Sequence, residues 1–219
     1  TDGLTVDQLG DTTYSGVISG LGNVTKEGSG TLTITGASTY TGGTTVSEGT
    51  LDTTGGGTLA DTGEIDVATG ATFVAGTADT VGVVTNDGTY DVNAAQTVAS
   101  LTNRGLTDLD AALTAGAGGV DNASGATLEQ NADITSAGSV TNNGTLTVTG
   151  DRRIETTGAS AGFTGAGGPT VAAATDGLTV DQLGDTTNAG SITGLGSFTK
   201  VGSGTLTFGG SIGAITVTD

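Results

Sequence analysis

Short strand-like segments opened by glycine recur along the whole chain at nearly constant spacing, and this spacing constrains the fold more than any other feature. The opening glycines lie at Gly30, Gly49, Gly70, Gly88, Gly105, Gly125 and Gly144. Further steps of about 20 residues lead to Gly165, Gly184 and Gly204. One strand-bearing coil about every 19 residues predicts a β-solenoid, because such a coil can bury its apolar side chains only against neighbouring coils.

Residues 28–51 show this unit most clearly. The run 31–35 alternates threonine with Leu32 and Ile34, and since successive side chains of a strand face opposite ways, the two aliphatic side chains share one face. Gly36 follows the run and lets the backbone turn where a Cβ atom would obstruct it. The segment therefore predicts strand, turn and strand, with no helical periodicity.

The same segment resembles the passenger-associated repeat of bacterial autotransporter proteins, written G-x-G-T-L-x-L-x-G-x-N-T-Y-T-G-G-T-x-V-x-x-G-T-L. Residues 28–32 (GSGTL), 39–44 (TYTGGT) and 46–51 (VSEGTL) carry the resemblance, and Ser38 stands where the pattern has Asn. The resemblance covers about a ninth of the chain. It implies a right-handed β-helix displayed on a bacterial surface, and it names no ligand.

The predicted fold is therefore an all-β, right-handed parallel β-helix with about 19–20 residues per coil. About eleven coils at roughly 4.8 Å per strand spacing would stack to a rod on the order of 50 Å long. We expect one inner column of stacked side chains formed by Leu32, Leu51, Phe73, Val92, Leu109, Leu128, Leu146 and Leu206. The alternative is a β-sandwich, but the chain lacks the aromatic core and the hairpin spacing of that fold.

A second and much longer repeat divides the chain. Residues 1–36 recur as residues 175–210, an offset of 174, and both copies begin with TDGLTVDQLGDTT. We therefore separate a solenoid unit, residues 1–174, from the start of a second copy, residues 175–219, that continues the same solenoid. An offset of whole coils would place both copies at equivalent positions around the axis.

Two segments interrupt the strand pattern. Residues 111–119 are poor in β-branched side chains, which predicts a loop. Residues 159–174 are rich in glycine and alanine and contain the only proline, Pro169, which suggests a wider surface loop between the long-repeat units.

Composition and charge exclude several classes of function. The chain has 23 acidic and 5 basic residues and a formal net charge of −18, so it would be repelled by nucleic-acid phosphates and by anionic membranes. It has no cysteine, which excludes disulfides and thiolate metal sites. No apolar run is long enough for a membrane helix. Residues 1–20 lack the regions of a signal peptide, so an exported protein would be a mature chain or a fragment.

The residues needed for catalysis are largely missing. Without histidine or cysteine the usual nucleophile and general-base arrangements are absent, and we expect no enzymatic activity. The abundant carboxylates keep a carbohydrate-active enzyme as a lower-ranked alternative. Arg152 and Arg153 form the most noticeable local charge, which either holds an acidic sugar or neutralises Asp151 and Glu155.

Two further kinds of site are suggested by the residues. Asp87, Asp108 and Asp110 are weak candidates for calcium ligands because they supply carboxylate oxygens near turns, whereas the calcium-binding nonapeptide and the EF-hand loop are absent. Simple solvation of the acidic face is the alternative, and no other cofactor is expected. Threonine rows at 31–35, 145–149 and 205–207 resemble those of ice-binding solenoids, but the intervening coils lack them.

The sequence favours a non-catalytic structural or adhesive segment of a secreted or cell-surface bacterial protein, acting as a stiff spacer or adhesion rod. The alternative is a self-assembling surface-layer or filament subunit. Solenoid ends expose unpaired strands, and residues 211–219 end on an aliphatic strand pattern that includes Ile212, Ile215 and Val217. We therefore expect end-to-end contacts with further copies or adjoining repeats. Host surfaces or glycans are further candidate partners.

Overall fold

The computed structural model describes residues 3–60, 62–213 and 216–218, the last three by their backbone alone. Every regular element in this part of the chain is a β-strand, and every strand pair is parallel. The strands stack into a parallel β-solenoid of about 10 turns with three faces, which confirms the predicted fold class. Its right-handed winding stays a prediction from the resemblance.

Each face is a column of short strands. Face 1 contains β1 (Leu4–Asp7), β4 (Val24–Glu27), β7 (Thr44–Val46), β9 (Ile65–Val67), β18 (Val140–Asn142), β21 (Phe163–Thr164), β24 (Thr186–Asn188) and β27 (Leu206–Phe208). Face 2 contains β2 (Thr12–Tyr14), β5 (Thr31–Ile34), β8 (Thr50–Asp52), β10 (Thr72–Ala75), β12 (Thr89–Val92), β14 (Leu106–Leu109), β16 (Thr127–Gln130), β19 (Thr145–Val148), β22 (Pro169–Val171) and β25 (Thr193–Gly194).

Face 3 contains β3 (Ser19–Gly20), β6 (Thr39–Tyr40), β17 (Ile134–Ser136), β20 (Asp151–Thr156), β23 (Gly177–Gln182), β26 (Ser197–Val201) and β28 (Thr216–Thr218). Three long strands turn the corner from face 3 to face 1, namely β11 (Asp79–Asn86), β13 (Gln96–Asn103) and β15 (Leu113–Asn122). They join most strands of both faces into one 14-stranded sheet, whereas β3 with β6 and β24 with β27 form separate two-stranded sheets. Face 2 is a separate 10-stranded sheet.

The strand pairing shows that the coils differ in length. The shortest coil described joins Val84 to its partner Leu101 on the next strand. The longest joins Ile154 to Val180, across the glycine- and alanine-rich segment. Coils of unequal length still stack in one register, because the corners between the short strands absorb the extra residues.

Apolar side chains at alternating strand positions fill the interior. On face 2 one inner column follows the register Leu32, Leu51, Phe73, Tyr90, Thr107, Leu128, Leu146 and Pro169. The rings of Phe73 and Tyr90 stack with centroids 5.5 Å apart and planes 4° from parallel. Both side chains are buried.

The predicted column was wrong at three positions. Val92 and Leu109 are buried but occupy the next inward position of their strands, in a second column with Ala75 and Val148. In these two coils the column position two residues after the opening glycine holds Tyr90 and Thr107, and the prediction chose the next aliphatic side chain instead. Leu206 lies on face 1, where it pairs with Thr186.

The two long-repeat copies lie on different faces, which corrects the expectation of equivalent positions. β1 of the first copy belongs to face 1 with β4 and β7, whereas β23, the same sequence in the second copy, stacks on β20 of face 3. Because the coils differ in length, the offset between the copies corresponds to eight turns and two further faces. The second copy is therefore turned back by one face.

Both predicted loops contain strands. Residues 113–122 form β15, the longest strand described, and the small side chains there accommodate a register shift opposite Val98 and Ser100. Residues 159–174 contain β21 and β22 and belong to one wide coil of the stack. Small residues suited to loops are equally suited to tight stacking, because a Cβ atom at Gly165 would lie 2.1 Å from the carbonyl oxygen of Asn142.

A ladder of four buried asparagines runs along the corner between faces 1 and 2. The members Asn86, Asn103, Asn122 and Asn142 are at most 1% exposed. The Nδ2 group of each of the first three donates to the Oδ1 atom of the next at 2.7–2.9 Å, and also to a backbone carbonyl of the following coil. The spacing of glycines and strands in the sequence does not indicate that these asparagine side chains point inward.

The described residues contain no helix that is long and apolar enough to cross a membrane.

Candidate functional site

Three carboxylates converge on the solvent side of face 2. Asp91 of β12 and Asp108 of β14 occupy the same outward column one coil apart, and Asp110 follows β14 directly. One carboxylate oxygen of each lies within 4.8 Å of the others. Glu129 is the next residue of the same column. The parallel register thus collects acidic side chains that are distant in sequence.

An amide holds two of these carboxylates together. Asn131 Nδ2 donates to Asp108 Oδ1 at 2.8 Å and to Asp110 Oδ1 at 3.0 Å. Partial burial and then the negative charges of Asp110, Glu129 and Asp91 raise the pKa of Asp108, and they outweigh the hydrogen bond from Asn131. Carboxylate oxygens at this spacing are the ligands that a hard divalent cation such as calcium prefers.

The structure sorts the predicted metal ligands into two places. Asp108 and Asp110 come together, whereas Asp87 lies apart and forms an exposed ion pair with Arg104 at 3.5 Å. Asp91, which sequence reasoning missed, joins the cluster. The sequence feature that could have identified Asp91 is its separation from Asp108 by one coil. The exact length of each coil, however, cannot be read from the sequence.

Replacing Asp108 by asparagine should stabilise the metal-free protein at neutral pH by roughly 0.5–1 kcal/mol after solvent screening, because it removes one of the clustered charges and keeps an acceptor for Asn131. Because the pKa of Asp108 is raised in the folded state, ionisation of this carboxyl group destabilises the fold. The free energy of unfolding of the parent chain therefore decreases as the pH rises through that pKa. Thermal melts of Asp108→Asn and the parent chain should therefore converge in acid and diverge towards neutral pH.

Asp87→Asn is the matched control, because Asp87 is paired with Arg104 and removing its charge relieves no clustered repulsion. Calcium and sodium at equal ionic strength then separate metal binding from screening. We expect equal stabilisation by both salts. A gain specific to calcium, reversed by chelation and lost in Asp108→Asn, would instead assign the cluster as a metal site.

The arginine pair makes local contacts. Arg153 forms an ion pair with Glu155 at 3.5 Å and a second one with Asp181 of the next coil. Arg152 donates to the backbone carbonyl of Asp151 at 3.3 Å. These contacts fit the interpretation of local charge neutralisation, and Arg153 also links two successive coils.

A buried lysine closes a turn from inside the fold. The side chain of Lys26 is fully buried, and its Nζ group donates to the carbonyl oxygens of Glu27, Gly28 and Glu48 at 2.6–3.2 Å. Burial lowers the pKa of Lys26, although the charges of Glu48 and Asp7 oppose this shift. An amine held by three carbonyls closes the turn and has no lone pair free to act as a base while it is protonated.

Threonines form long single columns on face 2. Thr31, Thr50, Thr72 and Thr89 follow one another in register. The second outward column of the same face changes from Thr33 through Asp52, Val74 and Asp91 to Asp108. The two-threonine-wide array of ice-binding solenoids is therefore not built across these coils.

Comparison with known proteins found one family. Residues 24–52 and 198–218, less than a quarter of the chain, match the passenger-associated-transport-repeat, and the two matches begin at equivalent positions of the two long-repeat copies. No curated protein and no solved structure matches the chain. The first match contains β4 to β8 and the second contains β27, so both matches include strands of the stacked coils. Two segments of this parallel β-solenoid are thus passenger-associated-transport-repeats, the repeat of autotransporter passengers.

Proposed function

We propose that the chain is a non-catalytic rod segment of a secreted or cell-surface bacterial protein, which holds other parts of that protein at a distance from the cell. The observation that carries this proposal is the continuous parallel ladder of face 2, which runs in register from β2 to β25. The passenger-associated-transport-repeats support a surface location, because passengers are the exported parts of autotransporters.

The stack has the properties of a stiff spacer. About 10 turns at roughly 4.8 Å each give a length on the order of 50 Å, and bending would have to break backbone hydrogen bonds on one side. Buried side chains continue from coil to coil across the boundary between units, since β23 of the second copy pairs with β20 along its whole length. Such a rod keeps the parts attached to its two ends at a fixed separation without a conformational change.

A spacer role is favoured over a one-sided adhesive surface. The second copy of the long repeat is turned by one face relative to the first. A side-chain feature repeated in successive units would therefore point in different directions around the axis. Binding of host surfaces or glycans by a single continuous stripe would need the copies aligned.

The acidic cluster does not favour glycoside hydrolysis. Its carboxylate oxygens lie within 4.8 Å of one another, whereas the two catalytic carboxyl groups of such enzymes are about 5–9.5 Å apart with the sugar between them. Asp91 and Asp108 are side by side on one sheet face, not on opposite walls of a cleft. The cluster therefore fits an acidic outer surface.

Lengthening the chain tests the rod directly. Inserting one further copy of residues 1–174 ahead of the chain should increase the maximum dimension in small-angle X-ray scattering by about 40 Å, since the unit spans between eight and nine turns. The cross-section should stay constant. An increase well below that, with a thicker particle, would indicate a bundle or globule and contradict the spacer role.

Self-assembly into a layer or filament is the second candidate, because the first and the last described coils expose apolar side chains such as Leu4 and Ile212. An apolar depression of about 400 Å³ lies at the first coil, lined by Leu4, Val6 and Tyr14 among others. A similar one of about 390 Å³ at the other end includes Phe208 and Ile212. The predicted contribution of Ile215 lies outside the described residues. Sedimentation over a wide concentration range separates a monomeric rod from a filament.

A further inference from the structure

The first coil of the chain occurs twice in this molecule, once open and once covered. Residues 1–13 and 175–187 have the same sequence. Leu4 is 45% exposed, whereas its counterpart Leu178 is 1% exposed. Ile18 is half-buried and its counterpart Ile192 is fully buried. The same side chains therefore serve as an end surface in one place and as core in the other.

The covered copy shows what fits on this surface. The coil of β20, β21 and β22, residues 151–171, lies directly against β23, β24 and β25. In its register Arg152 is opposite Leu178 and Ile154 is opposite Val180. The apolar side chains Ile154, Phe163 and Val171 of this coil are fully buried.

Polar contacts make the fit specific. Gln182 Oε1 accepts a hydrogen bond from the Phe163 amide at 3.0 Å, and Thr186 Oγ1 donates to the Phe163 carbonyl at 2.8 Å. Arg153 pairs with Asp181. In the open copy the counterpart of Gln182 is Gln8, whose Oε1 atom accepts a hydrogen bond, among the described residues, only from Thr12 Oγ1 of the same coil. The counterpart of Asp181, Asp7, is exposed.

Backbone groups show the same difference. Four N–H groups of the covered copy donate to the preceding coil at 2.6–3.2 Å, namely those of Gly177, Gly184, Ala189 and Leu195. Their counterparts in the open copy are Gly3, Gly10, Ser15 and Leu21, and no described residue accepts from them. An unpaired strand edge of this kind is a template for one more strand-bearing coil.

We propose that the open first coil is a docking surface for a second copy of the long-repeat unit, through the coil of that copy equivalent to residues 151–174. This deepens the proposed rod function and rests on it. The charges are compatible, because the first 22 residues carry three acidic and no basic residues, whereas residues 151–174 carry two basic and two acidic residues and so add no net charge. Successive units then join with a turn of one face at each joint.

An extended chain tests the docking. Residues 151–174 are placed directly before Thr1, which reproduces the junction between Ala174 and Thr175. Hydrogen exchange followed by NMR should show the amides of Gly3, Gly10, Ser15 and Leu21 slowed on the order of 100-fold, towards the rates of their four counterparts in the second copy. Protection of Gly184 within the same molecule reports that the rest of the solenoid is folded.

Two control extensions make the result specific. A scrambled extension of identical composition should leave the four amides in fast exchange. The extension carrying Arg153→Glu should protect them less than the parent extension, because the counterpart carboxylate of Asp7 would face a like charge. Fast exchange with the parent extension, or equal protection by the scrambled one, would overturn the proposal.

The unextended chain gives a further outcome. If the four amides become protected as its concentration rises, the open coil accepts the C-terminal end of another molecule, and the specific docking proposed here is wrong. The rod function is tested separately, by the maximum dimension that small-angle X-ray scattering gives for the chain with an inserted unit. A rod that lengthens as expected while the four amides stay fast would refute the docking alone.

Discussion

Phe73→Asp should destabilise the solenoid by about 5 kcal/mol or more, which is comparable to the whole stability of a typical domain. Phe73 is 2% exposed, lies between Leu51 and Tyr90 in the inner column, and stacks on the Tyr90 ring. The substitution removes a buried aromatic ring and places a carboxylate among the apolar side chains of the core. Chemical denaturation followed by circular dichroism measures the loss.

Thr72→Asp is the control for this substitution. Thr72 precedes Phe73 on β10 but faces outward, between the uncharged Thr50 and Thr89. We expect a change within about 0.5–1 kcal/mol, as for other surface substitutions. Equal losses in the two variants would show that the strand faces are assigned incorrectly, and no loss in either would show that β10 is not part of the folded core.

Asn122→Asp should cost on the order of 3–5 kcal/mol, although the two side chains have nearly the same size. Asn122 Nδ2 donates to Asn142 Oδ1 at 2.7 Å and to the Thr145 carbonyl at 2.8 Å. A carboxylate at this fully buried position could donate neither hydrogen bond, and its negative charge would repel the oxygen atoms of Asn142 and Thr145 that now accept them. Thermal and chemical denaturation at neutral pH measure the effect.

The pH dependence and a matched variant identify the cause. Burial raises the pKa of a carboxyl group, so the deficit of Asn122→Asp should shrink as the pH falls and the introduced group takes up a proton. Asn93→Asp makes the same chemical change at an exposed asparagine and should have little effect. A deficit of the same size in both variants would mean that overall charge, not the buried ladder, causes the loss.

The general architecture could be predicted because it depends on local chemistry. Glycine-opened strands at a spacing of about 19 residues leave each coil with apolar side chains that only a neighbouring coil can cover. The resemblance in residues 28–51 implied the same fold, and the family match at residues 24–52 contains that segment. Neither argument needed to know which residue lies above which.

The register could not be predicted, because it depends on how many residues each corner contains. One residue more or fewer in a corner leaves the local pattern intact but changes every later neighbour. The expected alignment of the two long-repeat copies was wrong for this reason. The cluster of Asp91 with Asp108 and Asp110 follows from the same pairing.

Local and additive properties of the chain were enough to establish a stack of parallel β-coils with an acidic exterior and two related ends, since alternation, glycine spacing and net charge can be read without knowing any contact. The folded stack was needed to place four asparagines in one buried ladder and to set the second repeat copy one face back. It was also needed to recognise the first coil as the uncovered counterpart of a covered one. These features depend on the lengths of all the coils between the residues concerned, and those lengths are known only from the strand pairing in the folded structure.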